Sequence, residues 1–146
     1  MQYFTEEECL EEGNEWHCTK CKRKVMASKQ IELFYLPRIM CICLTRFLKK
    51  GGRFYDYTKN NSLVDFPIEN LNMERYICGP DKKYSKYDLF AVSQHYGDMG
   101  GGHYTAVCKN IDGNWYEYDD NSVIRTSPKN VCTSAAYVLF YRRQNW

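Results

Sequence analysis

A charge surplus is missing from this sequence: 20 Lys and Arg against 18 Asp and Glu leave a formal net charge of +2 over 146 residues, so no overall field draws the chain to nucleic acid. Also missing is any apolar run long enough to span a membrane, and the first ten residues, MQYFTEEECL, are acidic where a secretory signal needs a basic start and an apolar stretch. These absences argue against a nucleic-acid or membrane partner and predict a cytoplasmic or nuclear protein. Internal repeats, low-complexity tracts and linker-like segments are missing too, so 1–146 reads as a single unit. What is present is a 44% hydrophobic, 16% aromatic composition, which suits one domain with a real core and excludes wholesale disorder. The run Glu6, Glu7, Glu8, Glu11, Glu12 and Glu15, followed by Lys20, Lys22, Arg23 and Lys24, reads as solvated faces, because few aromatics interleave with the basic cluster as a nucleic-acid surface would require.

Eight cysteines without a secretory signal read as reduced thiols, core fillers or metal ligands rather than a disulfide framework. Only Cys18 and Cys21, in WHCTKC, have ligand spacing. Along the chain, Thr5 with Glu8 three residues later predicts a short capped helix ended at Gly13, and NEWHCTKCKRK a knuckle-like turn. From Lys29 the runs KQIELFYL and IMCICLTRF predict strands, with Cys41 and Cys43 as core thiols, as are Cys108 and Cys132. Gly51 and Gly52 break that pattern, and 51–61 and CGPDKKYSK are loop-like. The last third reads as an antiparallel meander, YDLFAVSQHY, HYTAVCKN, a turn at Asp112-Gly113, NWYEYDD and SVIRT. It closes on AAYVLFY, expected as a central strand covered on both faces. The fold class is α+β and β-rich.

The chemistry concentrates in GDMGGGHYTAVCKN, residues 97–110. Three glycines before His103 permit unusual backbone angles and let another backbone pass close to the imidazole. A hairpin turning at Asp112-Gly113 returns Asp119 or Asp120 toward His103. A carboxylate on one ring nitrogen fixes the tautomer and leaves the other nitrogen to act on a nucleophile or leaving group. The spacing is equally met by a surface histidine beside two solvated aspartates. A phosphate loop fits less well, since no Lys-Ser/Thr ending follows the glycines.

GGGHYTAVCKN, WYEYDDNSV and AAYVLFYRR, preceded in order by WHCTKC, LPRIMCICLTRF and VDFPIENLNM, resemble the second half of the catalytic domain of the ubiquitin-specific proteases, papain-like cysteine proteases. The resemblance implies an antiparallel palm sheet with part of a zinc-ribbon-like fingers subdomain, residues 1–30 contributing the fingers-proximal helix and knuckle and 31–146 the strands and histidine box. It implies that His103 is the general base and acid, Asp119 its orienting residue and Asp120 a supporting group. Phe66, Gly101, Gly102 and Tyr104 would line the channel for the Gly-Gly tail of ubiquitin. His95 resembles a further tail-contacting position and equally suits a hydrogen-bonded strand-end histidine. The partners implied are ubiquitin or ubiquitinated proteins and the N-terminal half of the catalytic domain.

Two departures mark the chain. Nothing resembles the family's nucleophile box, roughly G-x-x-N-x-G-N-T-C, so the isolated chain is expected to be inactive, and a catalytically inactive ubiquitin-binding fragment or scaffold is the alternative. Cys18 and Cys21 supply half of a tetrahedral zinc site, the other CxxC lying upstream in the family; adjacent His17 is poorly placed as a third ligand. No cofactor is expected for catalysis, and structural zinc only with that second CxxC. Thr45 stands where the family usually has lysine, with structural consequences alone. The chain then reads as a fragment, a truncated product or one side of an interrupted domain.

Overall fold

The computed structural model describes residues 1–49, 51 and 57–145, which form two compact units: Met1–Leu36 with Met73–Ser85, and Pro37–Asn72 with Lys86–Trp146. Gly52, expected to break the strand pattern, lies outside the described residues.

In the first unit the expected helix shrinks to one turn, α1 (Gln2–Thr5). Thr5 is its last residue rather than its cap, because its hydroxyl donates back to Met1 O and Gln2 O while Glu6 is already extended. Glu8 instead belongs to β1 (Glu8–Cys9), which pairs with β4 (Ser28–Lys29) and ties Glu8 Oε1 to Lys29 Nζ at 2.5 Å. Between them, β2 (Trp16–Cys18) and β3 (Arg23–Val25) make an antiparallel hairpin. Its turn needs the left-handed region at Lys22, φ 56. KQIELFYL is not a strand as expected. Beyond Lys29 its one ladder contact among the described residues is a bridge from Leu33 to Ile77, because this apolar run has no neighbouring strand to satisfy its backbone.

The second unit is built on a seven-stranded sheet. Its strands are β5 (Ile39–Cys43), β8 (Leu71–Asn72), β9 (Lys86–Asp98), β10 (Gly101–Lys109), β11 (Trp115–Asp119), β12 (Ser122–Thr126) and β13 (Ala136–Arg143), while β6 (Phe47–Lys49) and β7 (Tyr57–Lys59) pair separately. The residues of β7 therefore form a strand within a segment expected to be loop. The order is β12-β11-β10-β9-β13-β5, with β8 on β9, all antiparallel. The Asp112-Gly113 turn appears as expected, with Gly113 N–H on Asn110 O and Asp112 Oδ1 accepting from Asn114 N–H.

Alternation gives the sheet one closed face. Tyr87, Leu89, Val92, Val107, Leu139 and Tyr141 are buried, each large apolar side chain contributing about 1.5–3 kcal/mol. Over them lie segments carrying Phe66 and Val131, pinned by Tyr141 Oη donating to Pro67 O at 2.7 Å and Cys132 Sγ to Val64 O at 3.2 Å. Buried Arg46 anchors the entry to β13, donating to Ala136 O, Asn60 O and Ser62 O. The other face is open. β13 lies between β9 and β5 as a central strand should, but it is not covered on both sides: Val138 and Phe140 are only half-buried. Cys41 and Cys43 are exposed rather than core thiols, because Met40 takes the inward position of β5 and leaves its neighbours outward. Cys108 and Cys132 are half-buried.

Candidate active site

The site begins with strand register. β9 and β10 pair from Asp98–Gly101 inward, placing His103 opposite Tyr96 and Thr105 opposite Gln94. On the other edge of β10, Ala106 pairs with Tyr118, so Asp119 emerges beside the His103 end of the hairpin. Asp119 in turn pairs with Ser122 across a tight turn in which Asp120 takes φ 47. An aspartate accepts that left-handed geometry better than most residues do.

His103 Nε2 meets Asp119 Oδ1 at 2.5 Å, with both side chains about half exposed. Ligand-type atoms of His103, Asp119 and Asp120 all lie within 4.8 Å of one another. The Asp119 hydrogen bond, followed by its charge and more weakly that of Asp120, raises the imidazole pKa above its ordinary value. With Asp119 accepting from Nε2–H, the neutral ring carries its lone pair on Nδ1, which takes no hydrogen bond among the described residues. An oriented imidazole with one open basic nitrogen can take a proton from a thiol or water and return it to a leaving group.

The remaining expected residues separate into exposed and buried. Tyr104 is 56% exposed, and an added Cβ at Gly101 would meet open space. Phe66 and His95 are buried, at 7% and 3% exposed, and Phe66 lies in the packed face of the sheet. His95 is held by Lys59 Nζ donating to its carbonyl at 2.6 Å, and its ring sits 4.6 Å from that of Tyr104. Burial, then the Lys59 charge, lowers its pKa against an opposing pull from Asp98, which favours the neutral ring. A cleft of about 410 Å³ beside the β9–β10 turn is lined by Lys59, His95, Gly97, Asp98 and Ser134, among others.

Gly102 has a reason the sequence did not reveal. A Cβ there would run into His95 Nε2 and Tyr96 O, so the position is small because a neighbouring ring fills the space. Gly97, at φ 95, would drive a Cβ to 2.7 Å from Gly101 O. Gln94 was also missed: a glutamine in a strand carries no sequence signal, and only the register sets it on the same face as the histidine.

Cys18 and Cys21 come together at the β2–β3 turn. Cys21 N–H donates to Cys18 Sγ at 3.3 Å, and this bond, with others from Cys21 and Lys20, lowers the Cys18 pKa. A thiol whose pKa is lowered in this way is suited to a zinc knuckle. Among the described residues no third Cys, His, Asp or Glu donor joins the two thiols, and His17 pairs across the hairpin with Lys24, one position out of phase with Cys18.

The second unit is thus a β-rich antiparallel sheet with a histidine–aspartate pair at the open end of a hairpin, an architecture consistent with the papain-like fold. The chain belongs to the ubiquitin carboxyl-terminal hydrolase family, whose model matches residues 9–141. Ubiquitin carboxyl-terminal hydrolase 15 of Homo sapiens is 43% identical over 146 residues, covering 99% of this chain and 15% of that protein. Ubiquitin carboxyl-terminal hydrolase 4 of Bos taurus is 42% identical with the same coverage. Among solved structures, a yeast SAGA DUB module superposes with a TM-score of 0.81 at 28% identity, covering 99% of this chain and 32% of that one. A SAGA DUB module of Ubp8, Sgf11, Sus1 and Sgf73 bound to monoubiquitin gives 0.77 at 29% identity, covering 99% and 31%. The chain thus spans about 15% of the length of these curated relatives. Among the described residues, no helix is long and apolar enough to cross a membrane.

Proposed function

We propose that this chain is the histidine-bearing part of a thiol-dependent deubiquitinase that hydrolyses the isopeptide bond after the C-terminal glycine of ubiquitin. The observation that carries the reading is the 2.5 Å contact from His103 Nε2 to Asp119 Oδ1, which orients an imidazole whose other nitrogen is open. A cysteine thiolate supplied from outside this chain, paired with protonated His103, attacks the isopeptide carbonyl. His103 gives its proton to the departing lysine amine, leaving a thioester, then takes one from the water that releases the ubiquitin carboxylate and regenerates the thiol. Asp119 holds the ring and stabilises the imidazolium, and Asp120 adds negative charge beside it.

Exposed Tyr104 and the uncrowded backbone at Gly101 suit a tail of glycines, while buried His95 and Phe66 act beneath that surface as support. The open sheet face with Ile39, Cys41 and Cys43 exposed is where the N-terminal half of the catalytic domain would pack. Zinc, if bound, would be held by Cys18 and Cys21 with two ligands from that half and would order the knuckle; it takes no part in the proton transfers. The cytoplasm and nucleus are the compartments that fit free thiols of this kind.

One observation favours a second reading for the isolated chain: none of its cysteines stands in a nucleophile box, as expected of an inactive ubiquitin-binding fragment or scaffold. Hydrolysis of a fluorogenic ubiquitin C-terminal amide decides between them. Full-length protein that loses turnover on His103→Ala supports the hydrolase; ubiquitin binding without turnover in the wild type supports the scaffold.

A further inference from the structure

On the same face as His103, at the next cross-strand pair along that face, lies a glutamine that is 2% exposed and hydrogen-bonded through both its oxygen and its nitrogen. Gln94 Oε1 accepts from Thr105 Oγ1 and from Tyr96 Oη, each at 3.1 Å, and Gln94 Nε2 donates to Thr133 Oγ1 at 3.0 Å. Each partner has a defined relation to the site. Tyr96 is the cross-strand partner of His103. Thr105 lies two residues beyond His103 on β10 and so on the same face, and it is buried. Thr133 precedes β13, where Ala136 pairs with Gln94.

One side-chain amide on β9 therefore ties its own strand to β10, the strand of His103, and to the segment leading into β13, on the face that carries the imidazole. The chemistry requires an amide or its like, because a buried acceptor must meet two hydroxyl donors on one side and a hydroxyl on the other. An apolar side chain of equal size would leave the three hydroxyls without this partner, at about 1–3 kcal/mol for buried Thr105 and less for Thr133, half-buried, and Tyr96, 45% exposed. Their readiest relief is to turn toward water at the open end of the hairpin, where His103 sits.

We propose that Gln94 is a positioning residue for His103: its hydrogen bond from Thr105 ties β9 to β10 in the register that brings the imidazole onto Asp119, and its bond from Tyr96 on its own strand fixes the side chain opposite His103. The inference deepens the hydrolase reading and rests on it for its kinetic consequence, but its geometric consequence is independent of turnover. A displacement of the order of 1 Å remote from reacting atoms lowers a rate by about 100-fold. The charged groups acting on the His103 ring are Asp119 and Asp120, so loss of register weakens the attraction that keeps its proton.

The test uses the full-length protein in four forms, wild type, Gln94→Leu, Thr105→Val and Gln94→Glu, with two readouts. The first is the pH dependence of His103 carbethoxylation by diethyl pyrocarbonate, read by mass spectrometry of the peptide that carries it. The second is kcat and KM on a ubiquitin C-terminal amide. Gln94→Leu should move the His103 titration to lower pH and reduce kcat by about 100-fold with KM within about 2-fold. Thr105→Val should shift both in the same direction by less. Gln94→Glu keeps the acceptor, and the Thr133 hydroxyl can turn to donate to it, so that variant should recover most of the rate.

A folded Gln94→Leu protein with an unmoved His103 titration overturns the proposal, even where melting temperature or kcat falls, since the residue would then be a core amide only. Should Gln94→Leu fail to fold, Thr105→Val decides by the same titration. A wild-type protein without His103-dependent hydrolysis contradicts the hydrolase reading, while the titration still decides the role of Gln94.

Discussion

Two hairpins of this chain carry side chains with chemistry at one end, and they hold them in opposite ways. The β10–β11 hairpin is flanked on both sides by further strands and buries Thr105, Val107 and Trp115; its histidine and aspartate are already in contact. The β2–β3 hairpin has three residues in each strand, no fully buried residue and a Trp16 that is 53% exposed. A two-stranded ribbon of that size is marginal alone, and its thiols make half a ligand set. A packed sheet can specify an active pair by register, whereas a metal bound to a small ribbon would contribute its binding energy to folding.

The largest expected effect falls on the first hairpin. Asp119→Ala should lower kcat on a ubiquitin C-terminal amide by about 10²–10⁴-fold, the range of a lost acid–base contribution, with KM nearly unchanged. Equal losses in ubiquitin affinity would mean that Asp119 binds substrate rather than orienting His103. Next comes the second hairpin: Cys18→Ser should abolish stoichiometric zinc in the purified full-length protein and lower its melting temperature, while the His103 titration stays in place. A titration that moved with the zinc would break the distinction between the two hairpins.

A finer test compares two adjacent glycines. Gly102→Ala should reduce kcat at least about 10-fold, because the new methyl displaces His95 or the Tyr96 backbone. Gly101→Ala should leave the fold unperturbed, since nothing stands within 4 Å of its Cβ position, and a rise in KM there would report direct contact with the ubiquitin tail. The smallest effect is on stability against pH. His95 favours the neutral ring, its folded pKa below the unfolded value of about 6.5, so its contribution is complete above that value and lost as pH falls below it. His103 runs the other way, with a raised pKa and a contribution present below about 6.5 that disappears as pH rises through the folded value. Between about pH 5 and 7 the stability difference between wild type and His95→Asn should shift against the wild type as pH falls; an identical slope in both would remove His95 from the account.

The long strands of the last third were legible because apolar residues alternate over many positions and the Asp112-Gly113 turn sets where the chain reverses. The same hairpin returns Asp119 or Asp120 toward His103, and the strand register puts Asp119 in contact. The first forty residues were not legible, because their elements are set by contacts rather than by local pattern. Thr5 and Glu8 satisfy a capping sequence, yet Lys29 draws Glu8 into β1. Cys41 and Cys43 sit in an apolar run, but a strand has two faces, and the sequence does not say that the outer one lacks a covering layer. The glycines pointed to a close approach near His103; that His95 is what approaches Gly102 depends on a register no single sequence contains.

The measurement that bears most directly on the central claim is the pH dependence of His103 carbethoxylation in full-length wild type and in Asp119→Asn. If the sheet assembles the pair, the wild-type ring titrates above the free-imidazole value of about 6.5 and the variant returns toward it. A wild-type ring that titrates at the free value, unchanged by Asp119→Asn, would mean that the pair is not formed and that His103 is a solvated surface histidine.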